Sequence, residues 1–396
     1  MGYNEAISAH LAAFSQSMRD LRDEIEAGEH LESGSFSIGI EEEYFLVDSR
    51  NFEISVETPE ALFEEAFAGT EGRVEREMLQ AQAETVTRPC SSLSQARAEL
   101  RFARSVLSAV AASHGLALLG AGTHPTATWQ GTVQTEKERY DKVMADLQMI
   151  GERNMLCGMH VHVSLPDPTR RVEIMRRIIP FLPLFIALST SSPFWQGRAT
   201  GLRGYRLAAY DELPRTGLPE LFRDAGEFDA YCGALIQAGA IPDASHLWWA
   251  IRPSLKFPTL ELRTADSCTR VEDALAIAAL YRVLVRHLYL NPGCNADIDP
   301  VRRAIAVENK WRAQRYGVYG SFATPDGPLT VAEFLEQAIA LTAEDARLLG
   351  CTREIAHCRN LVEQGTSADR QIALYQTEGK LDAVLAWLVE TTRKVD

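Results

Sequence analysis

The stretch Ser37-Ile38-Gly39-Ile40-Glu41-Glu42-Glu43-Tyr44-Phe45-Leu46-Val47 sets three acids inside a strongly strand-forming context. Side chains on a strand alternate between faces, so Glu41 and Glu43 point one way and Glu42 the other. Acids in the middle of so apolar a strand are costly unless a cation compensates them. That makes Glu41 and Glu43 candidate metal ligands and Glu42 a structural residue. A solvated sheet edge is the competing reading, since it is the usual fate of a charge run.

Three further stretches repeat the device. In Met159-His160-Val161-His162-Val163 the histidines share one face and the apolar residues the other. Two such histidines are either a hydrogen-bonded pair or ligands to a transition metal. Glu261-Leu262-Arg263 places an acid able to hold a metal beside a guanidinium able to hold phosphate, or else forms an in-strand salt bridge. In Gln82-Ala83-Glu84-Thr85-Val86-Thr87 a lone acid, Glu84, again stands in a strand. Glu77 is seven residues earlier, on the opposite face of any straight strand, and reaches the same site only through a turn or bulge. If these strands pair in one sheet, their polar faces merge into a carboxylate-rich wall. Hard cations such as Mg2+ or Mn2+ suit such a wall.

The rest of the pattern is strands separated by helices. Apolar residues from Ile7 to Ile25 recur at helical steps over 4–27. A strand over 36–47 follows, then one over 80–87, a helix over 92–114 starting after Ser91-Ser92, and a short strand at 116–119. Next come a helix at 135–151, a strand at 156–165 and a helix at 170–190. Residues 193–220 are rich in Gly, Pro, Arg and Tyr without period, a loop long enough to be functional. Strands at 246–252 and 257–263 precede a tail that is helical from Val271, broken at Asn291-Pro292-Gly293 and Thr324-Pro325-Asp326-Gly327-Pro328. This order predicts an α+β fold with helices on the far face of one sheet. We divide it into an N-terminal helix (1–34), a catalytic domain (35–320) and a helical C-terminal segment (321–396) packed on that domain.

With 396 residues, 46% hydrophobic and 24% charged, the chain can bury a large core. A net charge of −14 argues against nucleic acid as a partner, because phosphate contacts need surplus Lys and Arg. Seven cysteines without a CxxC pair fit a reduced, cytoplasmic protein. No signal-peptide pattern opens the chain. The longest apolar run, Ile178 to Leu188, contains Pro180 and Pro183 and is too short to span a membrane. Walker, GxGxxG and GxSxG signatures are absent, so any ATP binds in another way. Leu202-Arg203-Gly204-Tyr205-Arg206 can bind an anion or lie on the surface. Arg312 and Arg315, on one helix face, suit phosphate but are common on any helix.

In this order the pieces resemble the YbdK-type carboxylate–amine ligases, also called type 2 glutamate–cysteine ligases. The resemblance rests on 37–44, on Glu84-Thr85-Val86-Thr87-Arg88-Pro89, on Gly120-Ala121-Gly122-Thr123-His124-Pro125, on 157–163, on Glu261 to Asp266 and on the helix Asn309 to Gly317. It spans about 35–380. It implies a glutamine-synthetase-like fold, a bent and mostly antiparallel sheet with helices on its convex face. It also implies a metal shell of Glu41, Glu43, Glu77, Glu84, His160 and Glu261, which brings Glu77 into the site. Glu261 and Arg263 would act in catalysis, and Arg263, Arg203, Arg315 and His162 would contact ATP. The implied reaction is ATP-dependent amide formation through an acyl phosphate, with Mg2+ or Mn2+. Glutamate would be the carboxylate donor, joined to cysteine or another small amine, in a possible homodimer. Two rival readings stand beside it: a metal-dependent hydrolase using His160 and His162, and a non-catalytic metal- or nucleotide-binding protein.

Overall fold

A computed structural model describes residues 36–395, so the helix expected over 4–27 lies outside the described residues. The central sheet contains β1 (Ile38–Asp48), β2 (Val74–Arg76), β3 (Gln82–Val86), β4 (Leu116–Leu119) and β5 (Gly158–Ser164). A two-stranded hairpin, β6 (Phe194–Trp195) and β7 (Arg198–Ala199), stands apart, and β8 (Ile251–Pro253) and β9 (Thr259–Asp266) complete the sheet. The order is β2-β3-β1-β5-β9-β8, every pairing antiparallel. The long β1 carries β5 along its first half and β4 along its second.

Strand alternation divides the sheet into two unlike faces. Ile38 and Ile40 of β1, Met159, Val161 and Val163 of β5, and Leu260 and Leu262 of β9 are each at most 1% exposed. They join one apolar core with helix Val271–Leu290, which is buried nearly all round. A helix apolar on all sides must lie between layers. Burying each such side chain contributes about 1.5–3 kcal/mol, enough in sum to hold a sheet whose other face is charged.

The core-facing side of β1 then meets Glu42, which is fully buried. Helix Leu93–Ser113, begun by Ser92 accepting a hydrogen bond from the Gln95 amide at 3.1 Å, supplies Arg104 opposite it. Arg104 Nη2 donates to Glu42 Oε1 at 2.8 Å and to the Cys268 carbonyl at 3.1 Å. Its Nε donates to Tyr44 Oη at 2.9 Å and its Nη1 to the Thr269 carbonyl at 3.0 Å, while Tyr44 donates to Glu42. Glu42 is thus a buried, satisfied anion that ties β1 to the segment after β9.

Several boundaries differ from the sequence pattern. The helix over 170–190 breaks into Arg171–Ile178, a 3-10 turn Ile179–Phe181 and Leu182–Ser189, because prolines stand near the start of the last two pieces. The loop at 193–220 contains the β6–β7 hairpin and helix Tyr205–Tyr210. Helix Ala225–Gln237, capped by Asp224, gave no clear signal because it buries only Phe228 and Cys232. The break near Thr324 is a hairpin, β10 (Ser321–Thr324) and β11 (Gly327–Thr330).

Replacing Arg104 by Met strands the Glu42 carboxylate in the core, and breaking a buried pair from one side costs about 3–5 kcal/mol. Denaturant unfolding should show that loss in Arg104→Met, with part recovered in Glu42→Gln/Arg104→Met. An unchanged midpoint in the single variant would contradict the assigned role.

Candidate active site

The charged face of the sheet lines a cavity of about 870 Å³. Glu41, Glu43, Glu77, Glu84, His160, His162, Glu261 and Arg263 all reach it. Glu43 stands opposite Glu84 in the β1–β3 register, Glu41 opposite His160 in β1–β5, and His162 opposite Glu261 in β5–β9. Glu77 arrives as the spacing required. The chain turns between β2 and β3, where the corner at Leu79 is fastened to residues 133–135 through Gln80 N to the Val133 carbonyl (2.9 Å) and Thr135 N to the Met78 carbonyl (2.9 Å). A bulge beside His160, where Arg263 and Thr264 of β9 oppose one residue of β5, keeps Glu261 and Arg263 on the cavity side.

Each acid is treated differently by its surroundings. Burial raises the Glu41 carboxyl, but hydrogen bonds and charge from His160 and His162 outweigh it and hold the group well below the usual range. Burial also raises Glu261, yet the Arg263 and Arg252 guanidiniums beside it drive it far down. Arg252 grips it with Nε at 2.8 Å and Nη2 at 3.2 Å, and Arg263 donates as well. Glu77 has only the smaller pull of Arg263 to offset its burial, and the causes acting on Glu84 all raise it. Burial, then the neighbouring carboxylates, push Glu77 up to about 8, and the same causes push Glu84 well above its usual value.

This donor set fits a divalent cation. Two trios, Glu41–His160–Glu261 and Glu43–Glu84–His160, each bring three possible ligand atoms within 4.8 Å of one another. His160 Nδ1 donates to Glu41 Oε2 at 3.1 Å, while burial and then Arg263 lower its basicity and keep the ring neutral. Its Nε2 is left buried without a hydrogen-bond partner, 3.8 Å from Glu43 Oε1. A neutral imidazole oriented by a carboxylate, with its second nitrogen free, is the usual form of a ligating histidine. Among the described residues, neither trio contains both histidines. His162 instead shares a 2.8 Å hydrogen bond with Thr259 Oγ1 and holds Glu41. The two-histidine centre of the hydrolase reading finds no support in these trios.

Two expected ATP contacts fall elsewhere. Arg203 turns away to pair with Asp369, Nε to Oδ1 at 2.5 Å, and Arg315 lies over the Tyr316 ring. Neither lines the cavity. Three lining residues that the sequence did not single out for this site are Arg206, Tyr210 and Arg252. Arg252 is directly opposite Glu261 across β8–β9, a relation that only register reveals. Arg206 lies flat on Gly158, where an added Cβ would sit 2.1 Å from Nη2, and the Gly158 amide donates to Glu43.

The described chain superposes on a bifunctional glutathione synthetase from Pasteurella multocida with TM-score 0.70 and 14% identity, covering 90% of this chain and 52% of that one. This chain thus spans about half the length of that enzyme. It superposes equally on a glutamate–cysteine ligase from Francisella tularensis in complex with AMP, with TM-score 0.67 and 14% identity, covering 91% and 88%. Identities this low show the fold. The family match over residues 37–386 and relatives more than 50% identical, rather than the fold, give the class: an ATP-dependent carboxylate–amine ligase. The chain belongs to glutamate–cysteine ligase family 2 (GCS2), whose model matches residues 37–386. A relative from Bradyrhizobium sp. (strain ORS 278), named "Putative glutamate--cysteine ligase 2", is 55% identical over 358 residues, 90% of this chain and 88% of its own. A relative of the same name from Rhodospirillum rubrum is 44% identical over 347 residues, 86% and 89% of the two chains.

Two outcomes are expected. Gly158→Ala should displace Arg206 and release Glu43, weakening Mn2+ binding by at least about tenfold in calorimetry; unchanged affinity would dismiss the contact. Because Glu77 titrates near 8 without metal, it is protonated at pH 7 and must lose that proton to ligate. Cation binding should therefore release protons at pH 7, with affinity rising as pH climbs toward 8. Calorimetry in buffers of different ionisation enthalpy reads this directly, and a proton count of zero would refute it.

Proposed function

We propose that the protein joins the carboxylate of glutamate to a small amine, cysteine being one candidate, with ATP converted to ADP and phosphate. The observation that carries this reading is the cavity's division into an acidic half, Glu41, Glu43, Glu77 and Glu84, and a guanidinium half around Arg263 and Arg252. Bound Mg2+ or Mn2+, held by Glu41, Glu43, Glu77, Glu84, His160 and Glu261, would neutralise phosphate charge in the acidic half.

The donor carboxylate takes up the γ-phosphoryl group as an acyl phosphate, and ADP leaves. The amine then attacks the acyl carbon, an amide forms, and phosphate and a proton depart. Arg263 provides a fixed cation toward the transferring group, its remaining Nε free of protein partners. Glu261 and Tyr210 orient that guanidinium, with Tyr210 Oη 3.4 Å from Nη2. Positioning and electrostatics suffice, which agrees with the absence of a nucleophile–base triad in the sequence. Small molecules are the only partners this requires. Among the described residues no helix is long and apolar enough to cross a membrane, and the seven cysteines are unpaired, in keeping with a cytoplasmic setting.

The test is phosphate release from ATP with Mg2+ or Mn2+, glutamate and amines added singly, with mass spectrometry of the amide. Release should require glutamate and one amine together. No release with any amine would overturn glutamate as the donor. Arg263→Lys should lower kcat about tenfold to a hundredfold, because a point charge cannot replace a planar fork. An unchanged rate would reduce Arg263 to a structural salt bridge.

A further inference from the structure

The stretch Asn309 to Gly317, part of what the sequence resemblance rests on, contributes no side chain to the main cavity. Its helix, Pro300–Tyr316, instead grips the segment that does. The Gln314 carbonyl accepts from the amides of Arg203 (2.8 Å) and Gly204 (3.0 Å), just ahead of helix Tyr205–Tyr210. Gly317, with φ at +56°, lets the Arg203 side chain pass; a Cβ there would lie 2.6 Å from Arg203 Cδ. At the other end of the short helix, Lys310 Nζ pairs with the Asp211 carboxylate. Lys310 is only 8% exposed.

A six-residue helix has no stability of its own, so what fixes its ends fixes its side chains. Tyr210 is its last residue, and its hydroxyl meets Arg263 Nη2. Between the Lys310–Asp211 pair and Arg263 there is a void of about 10 Å³, walled also by Tyr210, Trp248 and Trp249. That is space for one water at most, so movement of the ion pair is transmitted rather than absorbed.

We propose that Lys310 is a positioning residue for the ligation: its ion pair with Asp211 fixes the end of helix Tyr205–Tyr210 and holds Tyr210 against Arg263. This rests on the ligase reading for its kinetic consequence but not for its structural one. Asp211 is partly exposed, so Lys310→Met leaves an acid that water can solvate, and the fold is retained.

The experiment pairs kinetics with a crystal structure. Lys310→Met should lower kcat about tenfold to a hundredfold with KM for glutamate little changed, and Lys310→Arg should restore most of it. Tyr210→Phe should also lower kcat, and the double variant Lys310→Met/Tyr210→Phe should be no slower than the worse single one, since both act through one contact. Wild-type kcat in Lys310→Met, or losses that multiply in the double variant, would overturn the proposal. In crystals of Lys310→Met the Tyr210 hydroxyl should have left Arg263. Finding it still in place would overturn the proposal even if no turnover is detected with any substrate pair, whereas its departure alongside silent wild-type enzyme would leave only the choice of substrates wrong.

Discussion

Mutual repulsion among the glutamates that line one cavity is the constraint around which the molecule is arranged. Ligand atoms of the two trios approach within 4.8 Å. At an effective dielectric of about 20, two like charges at that distance repel by roughly 3–4 kcal/mol. No single compensation meets this. Glu41 is held by two histidines, Glu261 by two arginines and Glu43 by the Gly158 amide. Burial and the neighbouring carboxylates instead push Glu77 and Glu84 above the usual carboxylate range. Compensation therefore decreases across the sheet from β9 to β3, and the least compensated end is where added positive charge is worth most.

That gradient gives the cavity a direction. At β8–β9 the Arg252–Glu261–Arg263 group carries one net positive charge, since two guanidiniums share a carboxylate. At β1–β3 the charge is negative once Glu77 and Glu84 ionise. His160 stands between, neutral, its Nδ1 committed and its Nε2 open. Anionic groups of a substrate and the cations that accompany them are thus drawn to opposite sides of one small space. Metal-free protein and loaded protein must differ in proton count for the same reason.

How much of this was legible depended on the range of the interaction. Strand parity alone separates Glu41 and Glu43 from Glu42, because period-two alternation is local. The same parity put Glu77 on the wrong face, and only the β2–β3 turn, anchored to 133–135, brings it round. Arg252 was invisible as a partner of Glu261 because register between strands is a tertiary fact. Arg203 and Arg206 are three residues apart in an aperiodic stretch, and nothing local says which points inward. The answer lies with two glycines: Gly317 opens the way outward for Arg203, and Gly158 leaves room for Arg206 beneath the wall. The hairpin at 321–330 was hidden for a similar reason, since Asn309 fixes its first strand through paired hydrogen bonds with Ala323.

The charges that never reach the cavity serve the same end as those that do. Glu42 and Arg104 lock β1 to the segment that directly follows β9, which restrains the two strands that carry Glu41, Glu43, Glu261 and Arg263 from sliding independently. A slip of one residue would send every ligand into the core and every core residue into the cavity. The apolar face opposes that slip on its own, but apolar contacts are non-directional and tolerate a shift of a fraction of an ångström. Hydrogen-bonded buried ions do not, because the Arg104 guanidinium must meet Glu42, Tyr44 and the Cys268 and Thr269 carbonyls at once in a fixed planar geometry. Placing such a pair on the reverse of the ligand-bearing strand therefore defines the spacing of the acids on its front. The outer helices extend the principle: Arg203 is tied to Asp369, which also caps helix Ser367–Glu378, so the C-terminal helices help to set where Arg206 and Tyr210 stand.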